Sequence, residues 1–147
     1  MPETQEVTIL LVEDDPGHAR LIEKNLRRSN VANNIVKAGD GQQAIDYLFG
    51  QGEHAGSKPP SPLLVLLDLN LPVLDGYQVL QRMKADERTK HIPVIILTTT
   101  DDRREVSRCY DLGCNVYVTK PVEYAQFSEA IRKLGMLLSI VTVPDSR

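Results

Sequence analysis

The sequence predicts an α/β fold in which a doubly wound parallel sheet carries helices on both faces. Short runs of consecutive apolar residues, such as Leu63–Leu67, are typical of strands that are buried on both faces. These runs alternate strictly with segments whose apolar residues recur every three or four positions, as on one face of a helix. Five strand–helix units result, and the 147-residue chain has the length of a single domain. The units alone do not determine the strand order.

The first unit begins with a strand at Val7–Val12 and continues into an acidic turn. Asp15 can cap the helix that follows, because Pro16 suits the first helical turn. Helical periodicity extends to about Ser29. We therefore expect a strand and a helix that are joined by carboxylates.

The second unit has weaker signals. A strand is expected at 33–38, a turn at 39–41 and a helix whose inner face lies within 44–49. The segment 51–62 is rich in glycine and proline, so we expect a surface loop without a helix or a strand.

The third unit contains the most apolar run of the chain. Asp68 follows Leu63–Leu67 and is expected at the carboxyl end of the strand, because an ionised carboxylate is costly inside a buried strand. Residues 75–76 open the third helix. The fourth strand is expected at Val94–Leu97 and ends at Thr98.

The fourth helix is expected to start at a capping Asp101 and to direct Val106, Cys109 and Tyr110 toward the core. Gly113 ends this helix, and Val116–Thr119 is the fifth strand.

An amphipathic stripe predicts a fifth helix, which must face the sheet or a partner. Its apolar residues are Tyr124, Phe127, Ile131, Leu134 and Leu138. The apolar segment Ile140–Pro144 then either folds back on the domain or contacts another chain.

Composition and charge exclude several classes of function. The chain has 17 Lys and Arg against 20 Asp and Glu, and its net charge of −3 argues against nucleic acid as the main partner. No apolar run approaches the length of a membrane span, and the acidic segment 1–6 differs from a secretory signal. We expect a cytoplasmic protein that has no membrane partner. Cys109 and Cys114 are expected to be reduced packing residues.

Polar residues follow four of the five predicted strands, and the carboxyl ends of parallel strands meet at one edge of a sheet. These residues are Glu13, Asp14, Asp68, Thr98 and Lys120. Three carboxylates at close range repel one another, and a hard divalent cation with oxygen ligands relieves that repulsion. The sequence therefore predicts a Mg²⁺ site.

The same residues suit the chemistry of an aspartyl phosphate. A cation lets Asp68 approach an anionic phosphoryl group, while Lys120 and the Thr98 hydroxyl can balance the other phosphoryl oxygens. Each residue alone is a weak signal, since a lysine or threonine at a strand end is usually a solvated or turn residue. Their joint placement carries the hypothesis.

The segments 11–15 and 67–76, Thr98 and the pair Lys120-Pro121 resemble the receiver domain of two-component response regulators. The similarity runs from about residue 7 to residue 138. It implies a flavodoxin-like (βα)5 sheet with strand order 2-1-3-4-5 and an Asp68 that accepts phosphate from a histidine kinase. The expected activity is self-catalysed phosphotransfer and autodephosphorylation, so the chain is not expected to be a metabolic enzyme.

The resemblance also assigns roles to individual residues. Glu13, Asp14, Asp68 and the backbone carbonyl of Asn70 would hold Mg²⁺, and Thr98 and Lys120 would contact the phosphoryl oxygens. Thr98 and Tyr117 would form the conformational switch. Asn70 and Thr100 would tune the lifetime of the phosphoryl group.

Segments 46–53 and 141–144 are similar to those of stand-alone regulators that work with phytochrome-type photoreceptor kinases. We expect a flexible segment at 1–6, a receiver domain at 7–138 and a tail at 139–147, whose apolar residues could form a homodimer contact. Output is then expected from altered contacts of the receiver itself.

Two other classes of function compete with this hypothesis. A phosphohydrolase of the haloacid-dehalogenase type also forms an aspartyl phosphate with Mg²⁺, using Asp68 as nucleophile, but it needs a second Asp two residues later as general acid. That position holds Asn70, which cannot transfer a proton. An interaction module with an unreactive site is the other alternative, and the intact polar set at the strand ends argues against it.

Overall fold

A computed structural model describes residues 7–28, 33–60, 62–99 and 102–119, together with residues 125 and 129. The strands are β1 (Thr8–Val12), β2 (Ile35–Ala38), β3 (Leu63–Asp68), β4 (Val94–Thr98) and β5 (Val116–Thr119). The helices are α1 (Pro16–Arg28), α2 (Gly41–Phe49), α3 (Gly76–Lys84) and α4 (Arg103–Asp111). All described strand pairs are parallel, and the strand order is β2-β1-β3-β4-β5. The doubly wound, flavodoxin-like architecture and its strand order are confirmed.

The strand order reverses beside β1, since the chain passes from β1 to one side at β2 and then crosses to the other side at β3. The register pairs Val12 with Ala38 on β2 and with Leu67 on β3. Open α/β sheets have their ligand crevice at such a switch point, outside the carboxyl ends of the strands. The ends of β1 and β3 are therefore where a functional site is expected.

The core consists of two layers, one on each face of the sheet. Alternate strand residues face opposite layers, so Leu64 and Leu66 pack with Ile22 and Leu26 of α1. The intervening strand residues pack against α2 and α3 in the other layer. All six residues of β3 are buried, which explains why its sequence is an uninterrupted apolar run that ends in Asp68.

Helix α4 starts one residue later than the sequence indicates. Its N-cap is Asp102, whose side chain accepts a hydrogen bond from the Arg104 backbone N–H, so the assignment of the cap to Asp101 is wrong. Cys109 is buried as expected, but Tyr110 is 48% exposed. Cys109 is the buried residue of α4. Tyr110 is the next residue and lies about 100° around the helix, so its side chain is turned away from the core. Its expected inward orientation is therefore wrong.

The segment 51–62 is not entirely without regular structure, because Gly52–His54 form a short 3-10 helix. Gly50 ends α2 with a φ of 65°, a left-handed conformation that glycine adopts without strain. The His54 ring then packs edge-on against Tyr47 of α2, with ring centroids 5.3 Å apart. These contacts hold the first half of the segment against the domain.

The predicted fifth helix and the tail at 139–147 lie outside the described residues, and so does the segment 1–6. The domain limits stay a prediction. Within the described part of the chain, no helix combines the length and apolar character needed to cross a membrane.

Candidate functional site

Three carboxylates meet at the carboxyl edge of β1 and β3. Glu13 and Asp14 follow β1 directly, and Asp68 is the last residue of the neighbouring strand β3. One oxygen from each residue lies within 4.8 Å of the other two. Glu13 and Asp68 are only 6% and 3% exposed, whereas Asp14 is exposed to solvent. The group forms a pocket that is buried on one side and open on the other.

Backbone hydrogen bonds fix the Glu13 side of this pocket. The Glu13 N–H donates to the Ala38 carbonyl of β2 at 3.1 Å, which extends the sheet by one residue beyond β1. The Asp15 N–H donates to Glu13 Oε2 at 3.1 Å. Asp15 in turn accepts hydrogen bonds from the N–H groups of Gly17 and His18, so it caps α1 as predicted. The cap directs the chain away from the sheet and leaves Asp14 at the surface.

Helix α3 fixes the Asp68 side. The Asn70 N–H donates to Asp68 Oδ1 at 3.1 Å, and the Gly76 N–H donates to the Leu69 carbonyl at 2.9 Å. A Cβ atom at Gly76 would lie 2.6 Å from the Cα of Leu69, so only glycine fits there. Asp75 and Gln78 form a capping box at the start of this helix. The sequence predicted the start of α3 at residues 75–76. It did not predict that Gly76 packs against the backbone of Asp68 and Leu69, because patterns of neighbouring residues do not show how a helix packs against a strand end.

The loop between β3 and α3 contains a strained residue that sequence reasoning also missed. Val73 has a φ of 71° and is 74% exposed. β-Branched residues rarely adopt this left-handed conformation. Gly41 at the start of α2 supports the loop, since a Cβ atom there would lie 2.7 Å from the carbonyl carbon of Leu74. The first residues of α2 and α3, Gly41 and Gly76, therefore both pack closely against the backbone of this part of the chain.

The acidic pocket fits a hard divalent cation. Three carboxylate oxygens within 4.8 Å of one another repel when ionised, and a cation among them converts that repulsion into attraction. A site with a few carboxylates and an open side suits Mg²⁺, which retains several of its water ligands. Asn70 follows two residues after Asp68 and is exposed, so its backbone carbonyl is a candidate further ligand.

The other predicted site residues are only partly described. Thr98 is the last residue of β4, and its neighbour Leu97 pairs with Asp68, so the Thr98 backbone lies at the same edge of the sheet. Its side chain, Lys120 and Thr100 fall outside the described part of the structure. Tyr117 lies in β5 opposite Ile96 and is half-buried against the core layer that contains Cys109.

Comparisons with known proteins agree with this geometry. The family model of the response regulator receiver domain matches residues 9–132. Response regulator Rcp1 of Synechocystis sp. is 37% identical over 137 residues, which cover 92% of this chain and 92% of Rcp1. The crystal structure of the Mn²⁺-bound form of Rcp1 has a TM-score of 0.76 at 36% identity and covers 95% of this chain and 99% of that one.

Two further solved structures are similar. The bacteriophytochrome response regulator RtBRR has a TM-score of 0.83 at 38% identity, covering 96% of this chain and 85% of that chain. A response regulator receiver domain from Rhodospirillum rubrum has a TM-score of 0.74 at 52% identity, covering 96% of this chain and 99% of that one. The fold, the acidic pocket at the switch point and these similarities lead to one conclusion: this chain belongs to the receiver domain family of response regulators.

Proposed function

We propose that Asp68 is the phosphoacceptor of this receiver domain. The observation that carries the proposal is the convergence of Glu13, Asp14 and Asp68 within 4.8 Å at the switch point of the sheet. Asp68 has little exposed surface, but it lies at the end of its strand beside the solvent-exposed Asp14. A phosphoryl donor can reach this carboxylate from the open side of the pocket.

In the proposed reaction an Asp68 carboxylate oxygen attacks the phosphorus of a phosphohistidine on the kinase. The new P–O bond forms as the P–N bond breaks, and the imidazole leaves with the electron pair of that bond. The Asn70 N–H donates to Asp68 Oδ1, so the carboxylate is held in one orientation. Glu13, Asp14, Asp68 and the Asn70 carbonyl would hold Mg²⁺, which would supply positive charge against the phosphoryl oxygens.

Further residues are assigned by similarity to the family. Thr98 and Lys120 contact the phosphoryl oxygens, and Thr98 together with Tyr117 changes conformation after phosphorylation. Asn70 and Thr100 tune the lifetime of the aspartyl phosphate. The position of the Thr98 backbone next to Asp68 and the half-buried place of Tyr117 in β5 support this assignment.

A phytochrome-type histidine kinase is the proposed partner. The similarity to the bacteriophytochrome response regulator RtBRR supports this partner. A homodimer that uses the segment 139–147, a cytoplasmic location and the absence of a nucleic-acid partner stay predictions from the sequence. The chain acts as a signalling protein in this account, and its only chemistry is on its own Asp68.

The phosphohydrolase alternative is not favoured. Asn70 stands where that class needs a general acid, and its side-chain amide is too weakly acidic to give up a proton. The receiver family match over residues 9–132 further opposes it.

The direct test is incubation with Mg²⁺ and acetyl phosphate, followed by intact-mass measurement. The wild-type protein should gain the mass of one phosphoryl group. Asp68→Asn should gain none, because its amide oxygen is a poor nucleophile, while Asp111→Asn at the exposed end of α4 should react like the wild type. An absent adduct in all three proteins, or an equal adduct in Asp68→Asn, would refute the assignment. Catalytic turnover of many phosphate esters would support the phosphohydrolase instead.

A further inference from the structure

A cavity of about 530 Å³ lies at the end of the sheet opposite Asp68. Val7 and Pro93 border it immediately before β1 and β4, and Leu63 borders it as the first residue of β3. Asp68 ends the same strand, and five residue steps of about 3.3 Å put the two ends roughly 16 Å apart. The cavity is therefore separate from the acidic pocket.

The walls of the cavity are apolar and stiff. Leu48 and Phe49 at the end of α2 form one wall, and the buried Ile92 forms another. Four prolines also line the cavity: Pro59, Pro60, Pro62 and Pro93. Because proline rings fix the backbone φ angle, this cavity is largely preformed. Its volume is in the range of small-molecule sites, about 300–1,000 Å³.

The ionisable side chains at the cavity are basic. Lys58, Arg88 and His91 contribute to the lining, and the described lining residues include no Asp or Glu. The Arg88 guanidinium lies 5.0 Å from the centre of the Phe49 ring, which places its charge against the apolar wall. Its Nε and Nη2 donate to Asp86, which is not part of the lining. Within the described part of the chain Arg88 Nη1 makes no hydrogen bond, so it can donate to a ligand.

We propose that this cavity binds a small anionic molecule with an apolar body of one or two rings. The body contacts Leu48, Phe49 and Ile92, while Arg88 and Lys58 hold the anionic group at the mouth. Charge complementarity sets the ligand class, because the lining carries basic groups and would leave a cationic ligand unpaired. The segment 51–62 supplies three of the four prolines and Lys58, so the proposal gives this loop a role in ligand binding.

The test uses anilinonaphthalene sulfonate, a fluorescent aromatic anion, and phenylnaphthylamine, which has the same rings without the sulfonate. The full chain should bind the sulfonate at one saturable site, and the neutral analogue about tenfold more weakly, because a charge-assisted hydrogen bond is lost. Methyl NMR shifts should be confined to the cavity, at Val7, Leu63 and Ile92. Shifts concentrated around Asp68, or equal affinity for the two probes, would overturn the proposal.

Variants that each remove one positive charge provide an independent test. Arg88→Gln and Lys58→Gln should each weaken sulfonate binding severalfold and leave the neutral probe unaffected. Arg82→Gln removes an exposed arginine of α3 that does not line the cavity and is the matched control. If Arg82→Gln weakens binding as much as Arg88→Gln does, only net charge matters and the site assignment fails.

Discussion

At the residue scale, the function rests on keeping two buried carboxylates and one exposed carboxylate together. Asp68 and Glu13 are held by backbone N–H donors from Asn70 and Asp15, while Asp14 stays in solvent. Such an arrangement is unfavourable without a cation, because like charges at this separation repel. The pocket is thus suited to bind positive charge, and in the proposed function it accepts a phosphoryl group only when a cation is bound.

The variant Asp14→Ala separates the repulsion among the carboxylates from their binding of Mg²⁺. Without Mg²⁺ the variant should be more stable than the wild type by about 0.5 kcal/mol, since one exposed repelling charge is gone. Its affinity for Mg²⁺ should fall at least about tenfold, because loss of even an outer-shell partner commonly costs that much. Calorimetric titration and urea unfolding with and without Mg²⁺ measure both. Unaltered Mg²⁺ affinity, or a fall equal to that in Asp111→Ala, would contradict the acidic-pocket account.

Val73 gives a second residue-scale prediction. Asparagine tolerates the left-handed conformation that valine adopts here, so Val73→Asn should raise the free energy of unfolding by about 1 kcal/mol. Val73→Ala keeps a Cβ at the same φ angle and should change stability much less. Urea unfolding of the wild type and the two variants measures the free energies of unfolding. A destabilised Val73→Asn would show that contacts of the valine side chain stabilise the fold more than its left-handed backbone destabilises it.

At the element scale, the starts of α2 and α3 position the loop that follows Asp68. Gly41 and Gly76 are the first residues of these helices, and neither leaves room for a Cβ atom. The sequence was sufficient to predict both helices and the capping by Asp15, because capping and periodicity are local signals. It was insufficient for the two glycine contacts and for the exposure of Tyr110, because these depend on how separate elements pack.

Gly76→Ala tests the support given by α3. The added methyl group would overlap the backbone of Leu69, so stability should fall by about 2 kcal/mol and phosphorylation of Asp68 should slow. Gly39→Ala is the matched control, since its Cβ would meet only Gln43 at 3.7 Å. Urea unfolding and the time course of acetyl phosphate labelling give the two readouts. Equal behaviour of the two variants would mean that the Gly76 contact has no special role.

At the scale of the whole molecule, one sheet separates the acidic pocket at one end from the cavity at the other. The alternation of strands and helices predicted the architecture, and the polar strand ends predicted the convergence of Glu13, Asp14 and Asp68. The strand order came from family resemblance, since local patterns do not encode which strands pair. The cavity beyond the amino ends of the strands had no sequence signal, because its lining comes from four separate segments.

The raised pKa values of two buried cysteines predict how the free energy of unfolding changes at alkaline pH. Burial raises the pKa of Cys114 to about 12 and also raises the pKa of Cys109. The folded state therefore keeps a thiol proton that the unfolded chain releases near pH 9, and this stabilisation is lost as the pH rises from about 9 to about 12. Burial lowers the pKa of Lys84, which contributes a slope of opposite sign, so the comparison must be made between variants.

Cys114→Ala should remove part of this alkaline loss. Its difference in unfolding free energy from the wild type at pH 7 reports packing. This difference should shrink as the pH rises above 9, because the variant lacks the Cys114 thiol whose raised pKa in the folded state lowers stability at alkaline pH. Unfolding free energies under reducing conditions between pH 7 and about pH 11 supply the measurement. If the unfolding free energies of the wild type and Cys114→Ala differ by a constant amount across that range, Cys114 titrates alike in the folded and unfolded states.

In the proposed function, the carboxylate at the end of β3 receives the phosphoryl group. The most direct measurement is borohydride reduction after reaction with acetyl phosphate and Mg²⁺, because borohydride converts an aspartyl phosphate to homoserine. Peptide mass mapping should find homoserine at position 68 in the wild-type protein and none after reaction without Mg²⁺. Homoserine at position 14 instead, or at no position at all, would contradict the account.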